Sequence, residues 1–168
     1  MRNNQPVTQR EFELADDTFL ISRTDLKGRI TYANPTFIRV SGYSWEELNG
    51  ADHNLVRHPG MPPAAFANLW TTIQEGHSWN GLVKNRRKNG DHYWVRANVT
   101  PTVEDGRVVG YTSIRRKASR EEVDSVVDAY RQIRDGGGRQ FMLDRGRLLR
   151  RGPAGWLARL QPSSLRFR

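Results

Sequence analysis

The hydrophobic pattern divides the chain into blocks with two different periods. Residues 18–25 and 29–34 read as two short strands forming a hairpin, and Asp25-Leu26-Lys27-Gly28 between them reads as a turn. Asn34-Pro35 opens a helix, because asparagine suits a helix cap and proline a first helical turn. Phe37, Ile38 and Val40 give that helix an apolar side, and Gly42 stops it. Ser44-Trp45-Glu46-Glu47 has capping-box spacing and starts a second short helix that ends near Gly50. Residues 51–62 follow neither period. Pro62 and Pro63 then open an amphipathic helix whose Phe66, Leu69, Trp70 and Ile73 share one face, with Gly76 as its stop. Beyond Gly76 the period returns to two. Residues 79–88, 91–103 and 107–117 read as a three-stranded meander, with Asn89-Gly90 a type I′ hairpin signal and Asp105-Gly106 a second hairpin turn. Ser119-Arg120-Glu121-Glu122 is another capping box; the helix it opens carries Val123, Val126, Val127, Tyr130 and Ile133 on one side and ends at Gly136-Gly137-Gly138.

This order of elements predicts an α+β domain: a five-stranded antiparallel sheet with helices covering one face and a ligand-sized pocket between them. The expected divisions are an N-terminal cap at 1–17, disordered or loosely docked, a folded domain at 18–118, a connector helix at 119–136 and a basic tail at 137–168.

Composition sharpens the division. The chain has 27 Lys+Arg against 18 Asp+Glu, a net charge of +9, and no Cys. Residues 137–168 hold eight Arg and one Asp, so the basicity belongs to the tail and the globular part is nearly neutral. Absence of cysteine excludes a disulfide scaffold, Cys-ligated zinc, an iron–sulfur cluster and a thiol nucleophile. No apolar run approaches the roughly 20 residues of a membrane span, and the N-terminus lacks a signal-peptide core; a reducing cytoplasmic setting is expected. Gly-x-Ser-x-Gly, His-Glu-x-x-His and Gly-x-Gly-x-x-Gly are all missing, so neither hydrolysis nor a Rossmann phosphate loop is indicated.

Three runs carry a family likeness. Ile30-Thr31-Tyr32-Ala33-Asn34-Pro35-Thr36-Phe37 with Ser41-Gly42-Tyr43 is a general PAS opening; Asn54-Leu55-Val56-Arg57-His58-Pro59 and residues 83–98 are narrower. Over residues 13–135 the chain resembles the FAD-binding PAS domains of bacterial aerotaxis receptors and related chemoreceptors. The resemblance implies a PAS fold and non-covalent FAD. It implies redox sensing without substrate turnover, and a HAMP or signalling module as partner. It also places the tail at the inner face of the cell membrane, with the membrane anchor beyond Arg168. A homodimer is left open. One departure stands at Gly60, where the family often has an acidic residue.

The site expected from residues and resemblance together comprises Asn34, His53, Arg57, His58, Trp70, Trp79 and Asn85, with no catalytic residue and no metal. Arg57, His58 and His53 are cationic or donor groups suited to a pyrophosphate. Trp70 and Trp79 offer faces for stacking. Trp79, Gly81, Val83 and Asn85 share one strand face, which turns the Asn85 amide toward the pocket as in light-sensing flavin domains. Asn34 is either a helix cap or a pocket amide. Arg115, on the last strand, matches the position of a flavin-contacting amide in light-sensing relatives; it suits an anionic reduced flavin as an electrostatic partner and stands outside the chosen set. Without Cys, the photoadduct of light sensors is excluded. A cofactor-free dimerisation module and a haem sensor using one of His53, His58, His77 and His92 remain alternatives. In the tail, Arg alternates with Phe141, Met142, Leu143, Leu148, Leu149, Trp156, Leu157 and Leu160, a composition suited to an anionic membrane surface. Nucleic-acid binding lacks a recognisable module, and an unfolded end remains the other reading of the tail.

Overall fold

A computed structural model describes residues 4–152. The strands are β1 (Phe19–Thr24), β2 (Ile30–Ala33), β3 (Trp79–Arg86), β4 (His92–Glu104) and β5 (Arg107–Lys117). They form one antiparallel sheet in the order β2-β1-β5-β4-β3, so the two halves of the chain meet where β1 pairs with β5. The inner face is covered by α1 (Pro35–Ser41), α2 (Trp45–Leu48), a 3-10 turn at His53–Val56 and α3 (Pro63–Gln74). The fifth helix, α4 (Arg120–Arg134), lies against the other face of β3 and β4. There Glu122 bonds Arg96, and the Tyr130 ring lies 6.3 Å from that of Trp94.

Local chemistry sets the helix limits. Asn34 Oδ1 accepts from the Phe37 N–H, and Gly42 ends α1 in a left-handed conformation. Ser44 with Glu47 and Ser119 with Glu122 are complete capping boxes. Leu20, Ile30, Phe37, Leu48, Val56 and Val95 are buried in one core between sheet and helices.

The structure departs from the sequence reading at three places. The N-terminal segment is ordered and docked from Asn4 onward: Thr8 N–H donates to Gly90 O, Phe12 N–H donates to the O of His92 at the start of β4, and His92 N–H donates to Arg10 O. Arg87 stacks over Phe12, and Leu14 is buried. The Asn89-Gly90 turn is not type I′. Arg87 N–H bonds Asp91 O across a wider loop, because Gly90 must lie flat against the backbone of Pro6. Type I′ geometry, with positive φ at both central residues, occurs instead at Asp105-Gly106 and Arg145-Gly146.

The third departure lies in the basic tail. Its first part forms a hairpin of β6 (Phe141–Asp144) and β7 (Arg147–Arg150). Trp156, Leu157, Arg159, Leu160, Arg166 and Arg168, expected as further anchors and cations, lie outside the described residues. No helix among the described residues is long and apolar enough to cross a membrane.

Candidate functional site

A cavity of about 410 Å³ lies between the sheet and α3. Its floor is made by alternate residues of β3, β4 and β5: Val83 and Asn85, Ala97 and Val99, then Tyr111, Ser113 and Arg115. The period of two keeps all of them on one face. Its wall is the apolar stripe of α3, Phe66, Leu69, Trp70 and Ile73, which is why that helix needs the stripe. Gly28, Asp52, Asn54 and Arg57, on the β1–β2 turn and the 3-10 segment, complete the lining.

Trp70 is fixed by two neighbours. Its ring meets Tyr111 edge-on at 5.7 Å, and its outer edge lies where a side chain on Gly28 would be, 2.8 Å from an added Cβ. Gly28 also has φ +84, so this turn position admits glycine on both counts.

The charged groups of the lining are Arg57 and Arg115 against Asp52. Arg115 is 2% exposed, and its guanidinium donates to Ser22 Oγ at 2.7 Å and stacks over Phe37 at 4.4 Å. His53 Nε2 lies 2.9 Å from Ser22 Oγ and 3.3 Å from Arg115 Nη1. Burial, and then the charge of Arg115, push the His53 pKa down to about 3, so the ring is neutral. Burial pulls Arg115 down to about 10, which leaves it charged at neutral pH. Arg115 has no carboxylate partner among the described residues. Two buried donors at this cavity lack a well-formed hydrogen bond, Asn85 Nδ2 and Arg115 Nε; the Tyr93 hydroxyl on the facing strand is the neighbour of the Asn85 amide.

Of the seven residues selected from sequence, the structure brings His53, Arg57, Trp70 and Asn85 to the cavity. Arg57 is joined to Asn85 by an antiparallel backbone bridge, and its guanidinium covers the Phe66 ring at 3.8 Å. Burial lowers its pKa. Asn4 clamps this segment by donating to Asn54 O and Arg57 O at 2.8 and 2.6 Å.

The other three are engaged elsewhere. Asn34 has both ends of its amide occupied, by the N–H groups of Ile21 and Phe37 and by Phe19 O. It acts as a cap that also ties α1 to β1. Trp79 shares the inner strand face, yet its Nε1 donates to Asn68 Oδ1 at 2.8 Å and its ring lies along Gly81, beside the cavity rather than in its lining. His58 packs edge-on to His92, and its Nδ1 accepts the Gly60 N–H at 2.8 Å. Burial, then the charges of Lys84 and its neighbours, push the His58 pKa down to about 3. A Cβ on residue 60 would lie 2.9 Å from that same Nδ1, so the glycine and the inward-turned His58 are two parts of one arrangement.

Arg115, weighed from the sequence but left outside the chosen set, and Ser22, not raised there, are the further polar groups of the site. Their signal was a polar residue at inward parity in strands otherwise lined with apolar ones. Of the four His, only His53 lines the cavity, and its Nε2 is already engaged. No group of three or more His, Asp or Glu that could hold a metal ion occurs among the described residues.

Comparison with known proteins agrees with this architecture. The PAS fold family model matches residues 30–115. The chain belongs to the PAS fold family, as a PAS domain of the aerotaxis-receptor type. It is 49% identical over all of its 168 residues to the aerotaxis receptor of Escherichia coli (strain K12), of which it covers 32%. It is 32% identical over 100 residues, 59% of this chain, to the nitrogen fixation regulatory protein of Klebsiella pneumoniae, of which it covers 20%. The chain thus spans a third or less of these curated relatives. The dark structure of the blue-light photoreceptor Aureochrome1 LOV superposes with a TM-score of 0.57 at 24% identity, covering 66% of this chain and 81% of that one. That likeness concerns the fold.

Proposed function

We propose that the chain is a sensory input domain that holds FAD non-covalently and reports its redox state, without turning over a substrate. The observation that carries the reading is the pair of buried donors, Asn85 Nδ2 and Arg115 Nε, neither with a well-formed hydrogen bond, at a cavity with a wall of apolar and aromatic groups. Leaving such donors unpaired costs about 1–3 kcal/mol each. A flat heterocycle with amide-like atoms on one edge satisfies them, and the pyrimidine edge of a flavin has that character. When bound, a flavin supplies reversible uptake of electrons with a change of charge or protonation at the ring.

The chain's own groups suit that role. Trp70, Leu69 and Phe66 exclude water from one side of the slot. Asn85 fixes the edge by hydrogen bonding. Arg115, with neutral His53 beside it, favours negative charge in the cavity. Arg57 stands where a pyrophosphate would leave, on the 3-10 segment clamped by Asn4. Similarity over the whole chain to an aerotaxis receptor supports oxygen- or redox-linked signalling in a chemoreceptor, with its signalling module as partner. The Arg-rich stretch from Arg139 onward would face an anionic membrane surface at the cytoplasmic side.

The test is spectroscopic. Protein incubated with FAD and desalted is expected to keep a two-band flavin spectrum that bleaches on reduction. Asn85→Ala should weaken retention about tenfold through its lost hydrogen bonds. A colourless protein after saturation with FAD, or a Soret band as isolated, would overturn the assignment.

A further inference from the structure

We propose that the C-terminal hairpin β6–β7 reads the position of α3, with Asn68 as the coupling residue; the part of this that concerns the ligand rests on the flavin reading above. Asn68 stands on α3 between Ala67 and Leu69, both of which line the cavity. Its one amide joins three elements. Oδ1 accepts from Trp79 Nε1 at 2.8 Å and from the Gly146 N–H at 2.9 Å, and Nδ2 donates to Leu143 O at 3.2 Å. The cavity wall, the first residue of β3 and the turn of the hairpin therefore meet on a single side chain.

The fit of the turn is specific. The Asn80 N–H donates to Arg145 O at 3.1 Å, which continues the hairpin onto the free edge of β3. Gly146 has φ +92, and a Cβ there would lie 2.2 Å from Asn80 O and 2.9 Å from the Trp79 ring. Trp79 can lie flat beneath it because Gly81 has no side chain: a Cβ at residue 81 would be 2.5 Å from the ring. Leu143 and Leu148 pack on the core, and Leu149 is buried.

The hairpin supplies the two states that a coupling requires. A two-stranded ribbon of four-residue strands is at best marginal alone, so its order depends on docking. Docking depends on an amide carried by the helix that forms the cavity wall. A ligand that holds α3 in place shifts the hairpin toward its docked state, and loosening of α3 releases it. The size of that shift is bounded by the ligand's preference for one position of the helix.

Amide hydrogen exchange on the full chain tests the proposal, with the flavin spectrum recorded on the same samples. In the parent protein FAD should slow exchange in residues 141–150. Asn68→Ala should raise hairpin exchange about tenfold and abolish its dependence on FAD, while β4 and β5 stay protected. Gly146→Ala approaches the contact from the other side, should release the hairpin likewise while keeping the flavin spectrum, and should weaken FAD binding by the same factor by which FAD favours docking in the parent. Flavin bound with hairpin exchange indifferent to it, or either variant exchanging like the parent, would overturn the coupling. If no flavin spectrum forms, the functional reading fails separately, and Leu69→Ala on the cavity side of α3 decides the mechanical part. Faster hairpin exchange supports it; unchanged exchange overturns it.

Discussion

Arg115→Met should stabilise the ligand-free protein while weakening its hold on FAD. The guanidinium is 2% exposed and faces no carboxylate among the described residues. Burial lowers its pKa to about 10, which corresponds to about 3 kcal/mol against the charged form in the folded state. A depressed pKa on a base penalises folding at every pH below the folded value, so the penalty is complete at pH 7. Methionine keeps the unbranched shape and removes the charge. What is lost is the donation to Ser22 Oγ and the stack over Phe37, together about 1–2 kcal/mol. Ser22 keeps its bond to His53. The balance is a gain of about 1–2 kcal/mol, or about 2–8 °C in Tm for a chain of this size. Urea and thermal unfolding of ligand-free parent and variant at pH 7 measure it, and retention of FAD after desalting measures the other half. A ligand-free variant less stable than the parent by about 1 kcal/mol or more would show that Arg115 is a structural tie and would remove it from the ligand argument.

Two further predictions follow from the same site. His53 is neutral in the fold down to about pH 3, whereas the unfolded chain takes up its proton near pH 6.5; its contribution is therefore complete above about pH 6.5 and lost progressively below, by about 2 kcal/mol at pH 5. His53→Gln should flatten that part of the stability–pH profile, and a parent profile already flat from pH 7 to 4.5 would refute the burial argument. Gly28→Ala puts a Cβ into the Trp70 ring at a positive-φ position, which should cost about 1–2 kcal/mol of stability. It should also shift Trp70 fluorescence, with FAD retention reduced; unaltered fluorescence and retention would show that the turn yields instead.

The sheet and the helical middle were legible because they follow simple periods. The stripe of Phe66, Leu69, Trp70 and Ile73 became the cavity wall, and the parity argument on β3 brought Asn85 to the floor. The same argument placed Trp79 on the correct face but could not anticipate Asn68, six residues before the helix ends, waiting to bind its indole N–H. The N-terminal segment escaped because it docks through single contacts from Asn4, Thr8, Phe12 and Leu14 without forming a helix or strand of its own. The hairpin at 141–150 escaped for a different reason. Its strands are four residues long, and its turn is Arg-Gly rather than the usual Asn-Gly or Asp-Gly. Arg115 was legible as a position, and its importance comes from what is missing around it, which only a three-dimensional neighbourhood can show.

The pairing of β1 with β5 sets an order of events during synthesis. Residue 19 reaches the sheet by joining residue 116, and at ordinary translation rates the intervening chain takes on the order of ten seconds to make. During that interval β1 and β2 can form only a hairpin whose inner edge has no neighbour, an invitation to pair with another nascent chain. The cavity has no complete floor until Lys117 has left the ribosome. Any ligand is therefore enclosed after the polypeptide of this domain is finished. A chain terminated before β5 would be expected in the insoluble fraction, however complete its helices.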